Sequence, residues 1–116
     1  MKNTYPEILK SVIKEYEEIA KGLNFTTYPH VSIGWDSNPR YNKLNNNNIC
    51  RENTPENVQK AFEYAKKYID EHPTLPVPLI TVNSWNEWTE TSYLEPDDLY
   101  GYGYLEAIKK VFLDEE

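Results

Sequence analysis

Only two stretches of this chain have the composition of a β-strand, and each runs into a loop rich in reactive side chains. The first covers Tyr28 to Trp35, with His30-Val31-Ser32-Ile33 at its centre; the second is Leu79-Ile80-Thr81-Val82. The second is a short β-branched run delivered by a proline-punctuated turn, Thr74 to Pro78, which is the pattern of a buried parallel strand. A helix is expected between them, and strands joined by a helical crossover pair in parallel with a right-handed connection. The expected order is helix, strand, loop, helix, strand, loop, helix. Two parallel strands alone leave both sheet edges open and bury little surface. The fold class is therefore α/β: two parallel strands with flanking helices, a piece of a larger architecture or a chain that completes itself by association.

Three helices follow from periodicity. Ile8, Leu9, Val12, Ile13, Tyr16, Ile19 and Ala20 recur at spacings of three and four, which predicts an N-terminal helix over residues 5–21 with one buried face. Thr4 and Glu7 fit a capping box, and Gly22 is a natural stop. A central helix begins at Thr54 as N-cap, with Pro55 in the first helical position and Glu56 favouring the dipole. Its stripe is Val58, Ala61, Phe62, Ala65, Tyr68 and Ile69, and His72-Pro73 ends it. The last helix, Tyr102 to Leu113, is expected to bury Leu105, Ile108, Val111 and Phe112. Residues 41–53 form an Asn-rich loop containing Asn45-Asn46-Asn47-Asn48, expected to be mobile because Asn bonds its own backbone in competition with regular structure.

Composition excludes several functions. Lys and Arg number 12 against 19 Asp and Glu, a net charge of -7. Phosphate-backbone binding needs clustered positive charge, so nucleic acid is disfavoured as a partner. An anionic membrane surface repels the chain for the same reason. Aromatic residues make up 14%, which argues against wholesale disorder. Cys50 is the single cysteine; it forms no internal disulfide and reads as an ordinary thiol. No run approaches the ~18–20 apolar residues of a membrane span. Met1-Lys2-Asn3-Thr4 leads into a polar amphipathic segment, so the cytoplasm is the expected location. Asn24-Phe25-Thr26 matches a glycosylation sequon and reads as chance in a chain this rich in Asn. His30 and His72 lie in unrelated places, and no phosphate loop or Ser-His-Asp set can be assembled, so neither a metal nor a cofactor is expected.

The richest segment, Asn83 to Tyr102, begins where the second strand ends. In parallel α/β folds that end of a strand carries the active site. Here it holds Trp85-Asn86-Glu87-Trp88-Thr89-Glu90. Two carboxylates three residues apart share one side of a turn. Glycoside hydrolysis passes through an oxocarbenium-like transition state between two carboxyl groups, ~5–5.5 Å apart in retaining enzymes. A close pair holds one proton more tightly, as a general acid requires near neutral pH. Indole and phenol rings stack on the apolar faces of sugars. From residue types alone a second reading stands beside this one, in which Glu87 and Glu90 are loop acids and the tryptophans are core. The other segment is Gly34-Trp35-Asp36-Ser37-Asn38-Pro39-Arg40, at the end of the first strand. Asp36 and Arg40 either pair and brace the loop or contact a substrate beside Trp35.

Together, GWDSNPR, the helix after it and ITVNSWNEWTETSYLEPDDLYGYGYLEAI resemble the C-terminal portion of the WbsX-like proteins, over most of residues 28 to 113. These are similar to the glycoside hydrolase family 99 group of endo-α-mannosidases and endo-α-mannanases. The resemblance implies a (β/α)8 TIM-type barrel of which residues 1–116 form one partial domain, supplying the last two strands and their helices. It is incomplete, because a full barrel needs ~250 residues. The resemblance further implies a carbohydrate-active domain, a glycoside hydrolase or glycosyltransferase of lipopolysaccharide, O-antigen or capsule metabolism. Glu87 takes the position that assists the sugar 2-hydroxyl, giving a 1,2-anhydro intermediate, and Glu90 the position of the general acid/base. Trp35, Asp36, Arg40, Trp85, Asn86, Trp88, Tyr93 and Glu95 are the candidate substrate contacts. The family pattern usually has Gly after the second Glu; Thr91 stands there, and a bulkier residue is expected to alter the loop. The alternatives are a non-catalytic carbohydrate-binding piece using Trp35, Trp85, Trp88 and Tyr93 as platforms, and a truncated fragment that needs the missing barrel portion, or its own copies, as partner.

Overall fold

The capping signals at residues 54–56 build the best-packed helix of the molecule. In the computed structural model, which describes residues 4–22, 26–45 and 49–113, helix α2 runs Pro55–Glu71. The Thr54 side chain accepts from the Asn57 amide at 3.3 Å, and the His72 amide closes the far end on the Ile69 carbonyl. Val58, Ala61, Phe62, Ala65 and Tyr68 are buried, as the predicted stripe requires; Ile69 is half-buried. The sequon residues Asn24 and Phe25, and Asn46–Asn48 of the Asn-rich loop, lie outside the described residues. The parts of that loop that are described are tied down: the Asn45 amide donates to Asn38 Oδ1, and the Cys50 amide to the Trp35 carbonyl.

Strands β1, His30–Ser32, and β2, Thr81–Asn83, pair in parallel in the register His30↔Thr81, Val31↔Val82 and Ser32↔Asn83. The Ile33 amide extends the pairing to the Asn83 carbonyl. Both strands are shorter than their apolar runs, and β2 begins two residues later and ends one later than expected. β2 is also not the buried strand its composition suggests: Thr81 is exposed and Val82 half-buried. Among the described residues only β1 pairs with it.

Helix α3, Gly103–Phe112, packs on α2 and buries Tyr104 and Ala107. The expected set is therefore corrected. Ile108 and Val111 pack partly against the core, Leu105 is half-buried, and Phe112 remains 37% exposed although it meets Phe62 edge to face. The contact face of α3 is rotated toward Tyr104, whose hydroxyl donates to the Asn53 carbonyl at 2.6 Å.

Helix α1, Tyr5–Gly22, starts where Thr4 bridges Arg51: the Ile8 amide bonds the Thr4 carbonyl and the Tyr5 amide bonds the Arg51 carbonyl. No residue of the expected stripe is buried: Ile8, Leu9, Val12, Ile13 and Tyr16 are half-buried, Ile19 and Ala20 are exposed, and the buried residue of α1 is Tyr5, which the stripe did not include. Its tyrosines serve β1 instead. The Tyr5 hydroxyl donates to the Ser32 carbonyl, and the Tyr16 hydroxyl accepts from the His30 amide at 3.1 Å. Odd-numbered residues of β1 face β2, so these two bonds lie on the free edge, where a helix covers what another strand would pair. The radius of gyration is 15.2 Å, above the roughly 13 Å of a closed domain this long. The core is the single layer between the sheet and α2–α3, centred on Phe62, Ile33 and Val58.

Candidate functional site

Both segments singled out in the sequence leave the sheet at the same end. After β2 the chain forms a short antiparallel hairpin, β3 (Asn86–Glu87) against β4 (Ser92–Tyr93), pairing Asn86 with Tyr93 and Glu87 with Ser92. The sequence reading contained no hairpin here. Its cause is a pair of serines: Ser84 Oγ donates to the Ser92 carbonyl at 2.6 Å, and the wholly buried Ser92 Oγ to the Asn83 carbonyl at 2.8 Å. The Leu94 and Glu95 amides both bond the Trp85 carbonyl. The tip is a 3-10 turn, Trp88–Glu90, closed by Thr91 in the left-handed conformation at φ 52° and ψ 41°. The departure from Gly at this position thus leaves the loop in a glycine-type conformation, occupied by a β-branched residue at a cost of ~1–2 kcal/mol.

The first segment meets that tip. Asp36 Oδ1 accepts from the Asn38 amide at 2.9 Å and so turns the chain into the 3-10 segment Asn38–Arg40. The Asp36 amide bonds the Glu90 carbonyl at 2.8 Å, and Thr91 Oγ1 donates to the Asp36 carbonyl at 3.0 Å. Gly34 makes the approach feasible: a Cβ there would lie 2.3 Å from Asn53 Nδ2 and 3.0 Å from the Thr91 carbonyl oxygen.

Arg40 is thereby carried to both carboxylates. Its Nη2 lies 3.4 Å from Glu87 Oε1 and 3.2 Å from Glu90 Oε2, and donates to Thr89 Oγ1 at 2.8 Å. Thr89 Oγ1 in turn donates to Glu87 Oε1 at 3.0 Å. The expected Asp36–Arg40 pair is not formed: Asp36 Oδ1 turns back onto the Asn38 amide, while the guanidinium reaches across to the hairpin. The two contacts of Arg40 laid end to end cap the separation of the Glu oxygens, and that limit accommodates the ~5–5.5 Å of a retaining pair. The bare carboxylate dyad expected from the spacing is instead a carboxylate–guanidinium–carboxylate cluster. Arg40 and Glu87 are 42% and 46% exposed at the side chain and Glu90 21%, so the ion pairs contribute only about 0–1 kcal/mol each to stability. Stability is a weak reason for this arrangement.

The aromatic candidates divide. Trp35, Trp85 and Trp88 are exposed, so the reading of Trp85 and Trp88 as core is corrected. Tyr93 is no open platform: its ring stacks on Trp88 with centroids 4.2 Å apart and meets Tyr104 edge-on, and its hydroxyl donates to Asp97. Burial, then the bond to Asp97, raises the Tyr93 hydroxyl above its ordinary pKa, so it stays protonated. Asn86 is exposed on β3, and Glu95 is held by its backbone bond to Trp85. Partial burial pushes the Cys50 thiol up to about 11, which leaves it protonated at neutral pH. Thr89, Ser84 and Ser92 escaped the sequence reading, and Thr91 entered it only as the departure from Gly. Thr89 had a signal, a hydroxyl midway between two carboxylates, whereas the serines act through backbone atoms that no pattern marks.

An α/β fragment with paired acids and exposed indoles at the end of parallel strands is the class of molecule that fold and site define. The family described as glycosyltransferase WbsX matches residues 1–108, and the chain belongs to it. The chain is 26% identical over 104 residues to the uncharacterized protein WxcX of Xanthomonas campestris pv. campestris strain ATCC 33913, a match covering 84% of this chain. WxcX of strain B100 is likewise 26% identical, over 83% of this chain. The chain spans about 15% of the length of the first of these curated relatives and 14% of the second. No solved structure matches it. Among the described residues no helix is long and apolar enough to cross a membrane.

Proposed function

We propose that this chain is the C-terminal portion of a (β/α)8 barrel that acts on glycosidic bonds during the making or remodelling of a surface polysaccharide. The observation that carries the reading is Arg40 contacting Glu87 and Glu90 together at the end of two parallel strands. Membership of a glycosyltransferase family supports a sugar as substrate. In this reading Glu90, the less exposed acid, transfers the proton to and from the departing oxygen. Glu87 acts at the ring face beside it, on the 2-hydroxyl. Water or a sugar hydroxyl then completes hydrolysis or transfer with the same carboxylates. Trp35, Trp85 and Trp88 supply stacking faces, and Asn86 and Glu95 polar contacts at the rim.

The test uses the longer protein that contains this segment, with two glycosides differing only in leaving-group acidity. Proton transfer contributes ~10²–10⁴-fold, about 3–5 kcal/mol of barrier. Glu90→Gln is expected to lower turnover of the poor leaving group by that order and to spare the good one. Glu87→Gln is expected to slow both. Equal losses on both substrates in the Glu90 variant overturn the role, and no loss in either variant returns the segment to a structural loop. A second reading, that the 116 residues alone have no activity, is favoured by the fraction of its relatives the chain spans and by the open edge of β2. Turnover by the isolated chain overturns it.

A further inference from the structure

Thr91 occupies a backbone conformation that a β-branched side chain resists, so its surroundings must over-determine it. They do so on every side. Its amide bonds the Trp88 carbonyl at 3.2 Å, its carbonyl oxygen packs against Gly34, and the next residue is the wholly buried Ser92. The side chain has one hydrogen-bonded target, the Asp36 carbonyl, 55 residues away in sequence. That carbonyl belongs to the residue whose amide is bonded to Glu90 and whose carboxylate turns the chain toward Arg40. The Asp36 amide and carbonyl are thus both gripped by the Glu90–Thr91 pair. The loop they anchor delivers a guanidinium to Glu87 and Glu90 only four residues later.

We infer that Thr91 is a positioning residue of the carboxylate pair: its hydroxyl locks the Asp36 loop onto the hairpin tip, so that Arg40 stays between Glu87 and Glu90. Glycine would adopt this conformation without strain, yet it has no hydroxyl to give. The strain of the threonine and the gain from one hydrogen bond are of the same size, so the exchange is close to neutral for stability. What the hydroxyl adds is location. Serine keeps the donor with less crowding at Cβ; valine keeps the shape and the crowding and loses the donor. The three replacements therefore separate strain from the tie. The inference deepens the proposed role of Glu87 and Glu90 and rests on that reading only where sugar is measured.

The test is made on the full 116-residue chain by amide hydrogen exchange and by NMR of the Arg40 guanidinium. Thr91→Gly and Thr91→Val are expected to speed exchange of the Asp36 amide about tenfold, the effect of one net hydrogen bond, and to release Arg40 from its slowed side-chain exchange. Thr91→Ser is expected to stay within about twofold of the unaltered chain in both. The Ile33 amide, bonded to β2, should be unchanged throughout and reports that the sheet is intact. A merely structural Thr91 would leave Arg40 held in the folded Thr91→Gly chain. That result, or an unchanged Asp36 amide in the same variant, overturns the inference; if Thr91→Val fails to fold, Thr91→Gly and Thr91→Ser decide. An oligomannoside titration followed by tryptophan fluorescence is run alongside, with binding expected to weaken in Thr91→Gly and to persist in Thr91→Ser. An unaltered chain that ignores the oligomannoside counts against sugar binding by these 116 residues alone and leaves the exchange result standing, so the two failures are distinguishable.

Discussion

Helices α1 and α2 carry apolar stripes of the same period and nearly the same length, yet they end in different environments. α2 buries five residues between the sheet and α3, whereas α1 buries Tyr5 alone and leaves a groove of about 230 Å³ lined by Ile8, Leu9, Val12 and Tyr16 along its contact with β1. Amphipathicity states that a face seeks cover; it does not state whether the cover lies in the same chain. α2 finds it because β1 precedes it and α3 returns to it. α1 meets the edge of a two-stranded sheet and closes that edge with two tyrosine hydroxyls beside a few apolar contacts from Tyr5 and Leu9.

The sharpest way to break the contrast is to truncate one apolar side chain of the stripe in each helix. Phe62→Ala removes the largest fully buried side chain and is expected to cost ~3–5 kcal/mol, enough to unfold a marginal domain. Val12→Ala, in the half-covered stripe of α1, is expected to cost less than about 1 kcal/mol. Urea denaturation of both measures the difference, and equal losses would mean that α1 is packed as tightly as α2.

Alkaline pH is the next probe, because buried acids gather where the start of α1 meets α3 and the Cys50 loop. Burial raises Tyr5, Tyr104 and Cys50, with Cys50 moving from 9.0 to about 11. Below pH 9 both folded and unfolded chains hold the Cys50 proton, and its contribution is fully present. Between pH 9 and 11 the unfolded chain releases that proton first, so stability falls as pH rises. The tyrosines extend the fall from 10 upward. Urea midpoints are expected to drop across this window, and Cys50→Ala to flatten its lower part. A midpoint constant from pH 8 to 11 would contradict the burial.

The smallest expected effect is at the edge itself. Tyr16→Phe deletes one hydroxyl and is expected to cost ~0.5–1.5 kcal/mol, because the His30 amide loses its acceptor. It should also raise self-association, since an uncovered strand edge is a template for another copy. Sedimentation at increasing concentration checks this, and an unchanged association constant would show that α1 covers the edge by bulk and not by its hydroxyls.

Local signals in the sequence were sufficient for the elements. Thr54-Pro55-Glu56 placed the start of α2, and His72-Pro73 its end, because caps and proline act within one turn of the chain. The parallel pairing of β1 with β2 followed from the helix between them. The acids of the site were legible from their spacing after a strand. Which helix face met a neighbour, whether Arg40 paired with Asp36 or with Glu87 and Glu90, and how Thr91 could stand in a left-handed turn were decided only in three dimensions. Arg40 has carboxylates four residues before it and about fifty after it, and nearness in sequence favoured the wrong one. The Asx turn points the Asp36 carboxylate back along its own loop, and the hairpin brings Glu87, Thr89 and Glu90 to the same guanidinium. Both depend on the side-chain oxygens of Asp36, Ser84 and Ser92 bonding backbone groups, and because every residue carries those groups, the residue pattern does not say which partner each oxygen takes.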